Sequence, residues 1–172
     1  MVATGRAAAR VAPMRWEELA QLMQNAPVDR LGRPLSTATF GRSPQQHVAY
    51  EKSRSARNAA GVSTEDDLRG RLFGDRGRPR PGVPTPAAAR GEARRVTLVE
   101  NDFPYWFEAG ARHDCLWASA GPPLSREEIE LVIDAQYPDR EVVWWSNPPA
   151  LKSVLGMDHV HIVSRPRLRS KL

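Results

Sequence analysis

Apolar positions follow a helical period in the first third of the chain. In the run WEELAQLM, Trp16, Leu19, Leu22 and Met23 fall on one face of a helix. Asn25 and Pro27 close it. The stretch 28–43 carries Gly32, Pro34 and Gly41 and reads as loop. Ser43 followed by Pro44 is an N-cap with proline in the first turn, opening a helix that runs to about Ala60. Ser63 or Thr64, ahead of Glu65, Asp66 and Asp67, caps a third helix whose apolar side is Leu68, Leu72 and Phe73. Residues 74–91 then hold four Pro, four Gly and four Arg with no periodicity, so a flexible loop over about 74–95 is expected.

Beyond that loop the pattern shifts to short β-branched and aromatic runs. Val96–Val99, His113–Ala118, Glu141–Trp145 and His159–Ser164 read as strands. Ser125 with Glu128 three residues on is a capping box, opening a helix from Arg126 to Ala135. Ser146-Asn147-Pro148-Pro149 breaks the third strand, and a short helical turn is expected over Ala150–Leu155. The order predicts an α+β fold, N-terminal helices followed by a mainly antiparallel sheet with one or two packed helices. The domain plan that follows is a disordered tail over 1–12, one domain over 13–166 interrupted by the 74–95 loop, and a basic tail over 167–172. Residues 1–12 contain arginine and no acid, a composition that organelle-targeting presequences share.

Net charge changes this picture. The chain of 172 residues carries +5 with a pI near 10.0, which by itself suggests a polyanionic partner. The positive charge is unevenly placed, however. Residues 1–60 carry +5, 61–95 carry +3, 96–164 carry −7 and 165–172 carry +4. The most strand-rich region is therefore acidic, and it also holds eight of the twelve aromatic residues. A nucleic-acid face needs its basic and aromatic residues together, so this distribution argues against nucleic acid. No run approaches the 18 apolar residues of a membrane span, and the mean hydropathy is −0.52. A single cysteine, Cys115, excludes an intramolecular disulfide framework and an all-cysteine zinc site. Glycine-rich phosphate loops, GxSxG, CxxC and HExxH are all absent.

Candidate chemistry gathers on histidine. His159 and His161 are two apart in a strand and share a sheet face, with Asp158 pointing away. His113 lies on another strand beside Asp114 and Cys115. His113, His159 and His161 are the candidate catalytic residues. Asn147, Trp117, Trp145 and Ser153 are the candidate ligand-binding residues. Converging imidazoles with Asn147 suit a phosphate or a metal, and the faces of Trp117, Trp144 and Trp145 suit sugar rings. The residues themselves fix neither a metal nor a cofactor. Cys115 reads as a small buried hydrophobe.

Taken in order, several runs resemble the fungal N-acetylglucosamine-induced protein family, otherwise a domain of unknown function. They are Trp16-Glu17-Glu18-Leu19, then Gly41-Arg42-Ser43-Pro44-Gln45-Gln46 with Tyr50, then Asn101-Asp102-Phe103-Pro104-Tyr105 with His113 and Trp117. Trp145-Ser146-Asn147-Pro148-Pro149, Leu151-Lys152-Ser153-Val154 and His159-Val160-His161 complete the pattern. The resemblance covers about residues 14–166. It implies a soluble, cytoplasmic protein linked to amino-sugar response or metabolism, and a pocket of these histidines, Asn147 and tryptophans suits binding or processing of an amino-sugar phosphate or nucleotide sugar. A non-catalytic regulatory or adaptor role is the alternative. It carries over no catalytic residue. More weakly, Asn147, Ser153-Val154 and His159-Val160-His161 are similar to the end of a histidine-triad nucleotide hydrolase. Val163 or Met157 stands where a third histidine would fall, so one member of that triad is missing.

Overall fold

A computed structural model of the chain describes residues 10–37, 40–74, 94–119 and 121–167. Most of the expected tails and loop (1–9, 75–93 and 168–172) therefore lie outside the described residues. Helix α1 spans Trp16–Gln24, α2 Pro44–Ala59, α3 Thr64–Phe73 and α4 Arg126–Gln136. Strands β1 Val96–Glu100, β2 Arg112–Ala118, β3 Arg140–Trp145 and β4 Asp158–Pro166 form one sheet in the order β1-β2-β4-β3. Every pairing in it is antiparallel.

Local chemistry sets the helix ends. The Ser43, Ser63 and Ser125 side chains accept from the backbone N–H groups of Gln46, Asp66 and Glu128, as N-caps. At Ser125 the reciprocal bond from the Ser125 N–H to the Glu128 carboxylate completes the capping box. Gly74 ends α3 with φ 75°, a left-handed cap that a residue with a Cβ strains to adopt. The turn expected over Ala150–Leu155 is shorter, a 3-10 turn over Pro149–Leu151. It stops because Lys152 returns to extended backbone and carries its ammonium 2.9 Å from Asp158.

The stretch 28–36 is loop in outline but firmly tied. Val28 bridges Pro34, and Leu35 bridges Ser146 in parallel. Arg33 is only 6% exposed and pairs with Asp29 at 2.8 Å and Asp158 at 2.7 Å.

Strand alternation divides the side chains of β2 and β4 between two faces. Leu116, Ala118, Val160 and Ile162 face α4 and pack on Leu124, Ile129 and Tyr137. Burying each large aliphatic side chain there contributes roughly 1.5–3 kcal/mol. Asp114, fully buried on this face, accepts from the Tyr137 hydroxyl at 2.6 Å and from Arg112 Nε at 2.8 Å. His113, Cys115 and Trp117 of β2 and His159, His161 and Val163 of β4 face the other way. At one end that face is covered by Met14, Trp16, Leu19 and Phe40. At the other, Phe73, Leu68 and Leu72 of α3 cover it with Val154 and Met157.

Candidate functional site

A pocket of about 550 Å³ lies on this second face, with α2 and α3 forming part of its wall. Sheet register builds its floor. His161 is paired with Cys115 on one side and with Trp145 on the other, and His159 is paired with Trp117. Trp117 and His159 stack with ring centroids 4.2 Å apart. Trp145 stacks beneath His161 at 5.3 Å and 16°.

The register thus gathers three donor atoms. His113 Nε2 lies 3.0 Å from His161 Nδ1, and Cys115 Sγ lies 3.5 Å from the same nitrogen. Asn101 accepts the Phe103 N–H at Oδ1, over 2.9 Å, which directs its amide NH2 to Cys115 Sγ at 3.4 Å. Beyond His161, Asn147 Nδ2 lies 3.0 Å from Nε2, while Asn147 Oδ1 accepts the Trp145 indole N–H at 3.2 Å.

Burial keeps these groups neutral. It pushes His113 down to about 3, with the Arg42 charge adding to the effect, and His159 down to about 4, with Lys152 adding there. His161 is driven well below its usual value by burial and then by its two histidine neighbours. The Cys115 thiol is pushed up, by burial first and the Asp114 charge second.

One backbone bond orders the protons. The Tyr105 N–H donates to His113 Nδ1 at 3.2 Å. Neutral His113 therefore carries its proton on Nε2 and donates to His161 Nδ1. Neutral His161 then carries its proton on Nε2, facing Asn147. His113, Cys115 and His161 hold their ligand atoms within 4.8 Å of one another, a soft donor set that suits zinc or copper(I). To bind either metal, His113 must give up the Nε2 proton that the Tyr105 bond keeps there.

Four cationic residues, Arg42, Arg57, Arg71 and Lys152, and four acidic ones, Glu51, Asp67, Glu100 and Asp102, line the pocket. Arg42 donates Nε to the Phe103 carbonyl at 3.1 Å and lies over the Tyr50 ring at 4.0 Å. Arg57 donates to Ser53 Oγ at 2.7 Å, and its buried Nε has no partner. Both line the pocket, and neither enters an ion pair among the described residues. The other two pocket cations are neutralised, Arg71 by Asp67 and Asp102, and Lys152 by Asp158.

Of the residues chosen from sequence, His159, His161, Asn147, Trp117 and Ser153 line the pocket. His113 sits just behind, bonded to His161. Trp145 is fully buried and reaches the floor only from beneath, through His161 and Asn147. Trp144 is not a pocket wall: it packs on the opposite face with the α4 core. Adjacent strand residues point to opposite faces, so two consecutive tryptophans cannot wall one cavity. Cys115 is buried as expected, and it belongs to the histidine cluster. Sequence reasoning missed Arg42, Arg57 and Tyr105. Arg42 stands inside a recognised run, but no spacing ties it to histidines some 70–120 positions away.

An α+β chain with a polar pocket on one face of an antiparallel sheet is the class that fold and site define. The chain belongs to the family described as "Protein of unknown function (DUF3605)", which matches residues 15–165. It is 22% identical to N-acetylglucosamine-induced protein 1 of Candida albicans, over 40% of this chain and 34% of that one. The match thus spans about a third of that relative's length. Among solved structures, one described as the crystal structure of HTC1 superposes with a TM-score of 0.58 at 21% identity, covering 92% of this chain and 88% of that one. At that identity the likeness is one of fold. Among the described residues, no helix is long and apolar enough to cross a membrane.

Proposed function

We propose that this chain is a cytoplasmic binding protein for a phosphorylated amino sugar, an amino-sugar phosphate or a nucleotide sugar, acting as a sensor of such a ligand. One observation carries the reading: Arg42 and Arg57, which enter no ion pair among the described residues, stand in the same 550 Å³ pocket as the polar floor of His161 and Asn147. A phosphate satisfies guanidinium groups of this kind bidentately. Leu68, Leu72 and Trp117 offer apolar surface to a sugar ring. The amino-sugar identity draws on the name of the Candida relative.

Binding, more than turnover, suits the floor. The nitrogens of His113 and His161 are bonded to one another, to Asn147 and to the Tyr105 N–H, and burial holds all three rings neutral far below physiological pH. A general base works best with a pKa near the operating pH. Isothermal titration with N-acetylglucosamine 6-phosphate and UDP-N-acetylglucosamine tests the proposal, with unphosphorylated N-acetylglucosamine as control. At least one phosphorylated ligand should bind saturably, and Arg42→Ala should weaken it tenfold or more. Absence of saturable binding by either phosphorylated ligand refutes it.

A further inference from the structure

Helix α2 is the longest helix among the described residues, yet none of its 16 residues is buried. The other helices each plant side chains in a core: Trp16 and Leu19 of α1, Phe73 of α3 and Ile129 of α4. No residue of α2 belongs to the hydrophobic clusters on either face of the sheet. Its aromatic anchor is Tyr50, which lies between the Arg42 guanidinium at 4.0 Å and the Phe103 ring at 5.5 Å. Towards its C-terminal end, Arg54 and Arg57 bond back to Glu51 and Ser53 of the same helix. A helix of this length gains most of its stability by packing an apolar face, and alone it is marginal in water. Elements with few buried apolar contacts open at the lowest free energy.

This weakly packed helix also faces the pocket, which Tyr50, Glu51 and Arg57 line. We infer that α2 is the element that senses the ligand: in the free protein it opens locally while the sheet and α4 stay folded, and a phosphorylated ligand latches it shut. The latch joins two arginines from different parts of the fold. Arg42 precedes α2 and is fixed by its Nε bond to the Phe103 carbonyl, whereas Arg57 lies in the last turn of α2. Arg42 presents its face to Tyr50, which leaves its Nη groups for phosphate oxygens, so the ligand does not compete with the anchor. A phosphate held by both arginines ties the end of α2 to the fixed loop before it. This rests on the binding reading above and adds how binding becomes a change of conformation.

Hydrogen-exchange mass spectrometry of the full chain tests it, with and without N-acetylglucosamine 6-phosphate or UDP-N-acetylglucosamine. In the free protein the α2 amides should be protected roughly a hundredfold less than those of α4 and β4. A phosphorylated ligand at about a hundredfold excess over its dissociation constant should slow the α2 amides tenfold or more. Ala56→Gly changes an exposed position of α2 that does not line the pocket. It should speed α2 exchange about fivefold and leave the melting temperature unchanged. Protection of α2 equal to that of α4 in the free protein, or a lowered melting temperature in Ala56→Gly, overturns the inference. Saturable binding that leaves α2 exchange unchanged overturns it as well and leaves the binding reading standing. Saturable binding by neither ligand overturns both.

Discussion

The Tyr105 N–H donates to Nδ1 of His113 across 3.2 Å, and that bond sets the protonation of the groups behind it. A fixed backbone donor cannot change its role, so the imidazole must present a lone pair there. His113 and His161 should both be Nε2–H tautomers at neutral pH. Long-range ¹H–¹⁵N correlation spectra of the imidazole rings read this directly. An Nδ1–H tautomer for His113 would contradict the assignment.

Stability should depend on pH through the same rings. Folded, His113 titrates near 3 and His159 near 4, and His161 also lies well below 6.5, the value near which all three protonate once unfolded. Below pH 6.5 the unfolded chain therefore binds more protons than the folded one. The stability from these rings is complete above pH 6.5 and is lost as pH falls through 6 and 5 toward the folded values. Each ring adds a slope of about 1.4 kcal/mol per pH unit in that window. Urea denaturation between pH 4.5 and 7.5 measures it, and His159→Gln should remove one ring's share. A flat profile would contradict the buried neutral histidines.

Arg33 should matter more than a residue in a predicted loop usually does. It is buried between Asp29 and Asp158 and also donates to the Leu124 carbonyl at 3.3 Å. Replacing it with Met leaves Asp158 with Lys152 and Asp29 with backbone N–H donors, so both carboxylates keep partial satisfaction. Loss of one partner of a buried pair costs about 3–5 kcal/mol. Arg33→Met should therefore lower stability by about 3 kcal/mol in chemical denaturation. A change under about 0.5 kcal/mol would show that the 28–36 tether is unimportant.

The elements were legible from the sequence; their partners in space were not. Alternation in His113–Ala118 and His159–Ser164, and the Ser-led caps, are local signals, and local signals determined the helices and strands. Placing β4 between β2 and β3 depends on long-range pairing, which brings Cys115 beside His161 and Trp145 beneath it. Composition could not show that Arg33 fastens a loop, nor that Arg42 and Arg57 share a pocket with His161. The role of Tyr105 belongs to its backbone N–H, which residue type does not encode.

Cys115 should be chemically quiet. It is 3% exposed, and burial raises its thiol above the usual range, so little thiolate is present at pH 8. Iodoacetamide should alkylate the native protein far more slowly than the urea-unfolded chain, by a factor of about 100 or more. Labelling at the unfolded rate would contradict the closed cluster.

The central claim is that a phosphorylated amino sugar occupies the pocket between Arg42 and Asn147. Two-dimensional ¹H–¹⁵N spectra during titration with N-acetylglucosamine 6-phosphate test it most directly. The account predicts saturable shifts of the Asn147 side-chain amide, the Trp117 indole and the Arg42 and Arg57 Nε signals, with the α4-face amides of Leu116 and Ile162 little changed. Saturation with those pocket signals unmoved, or shifts confined to residues outside the pocket, would contradict it.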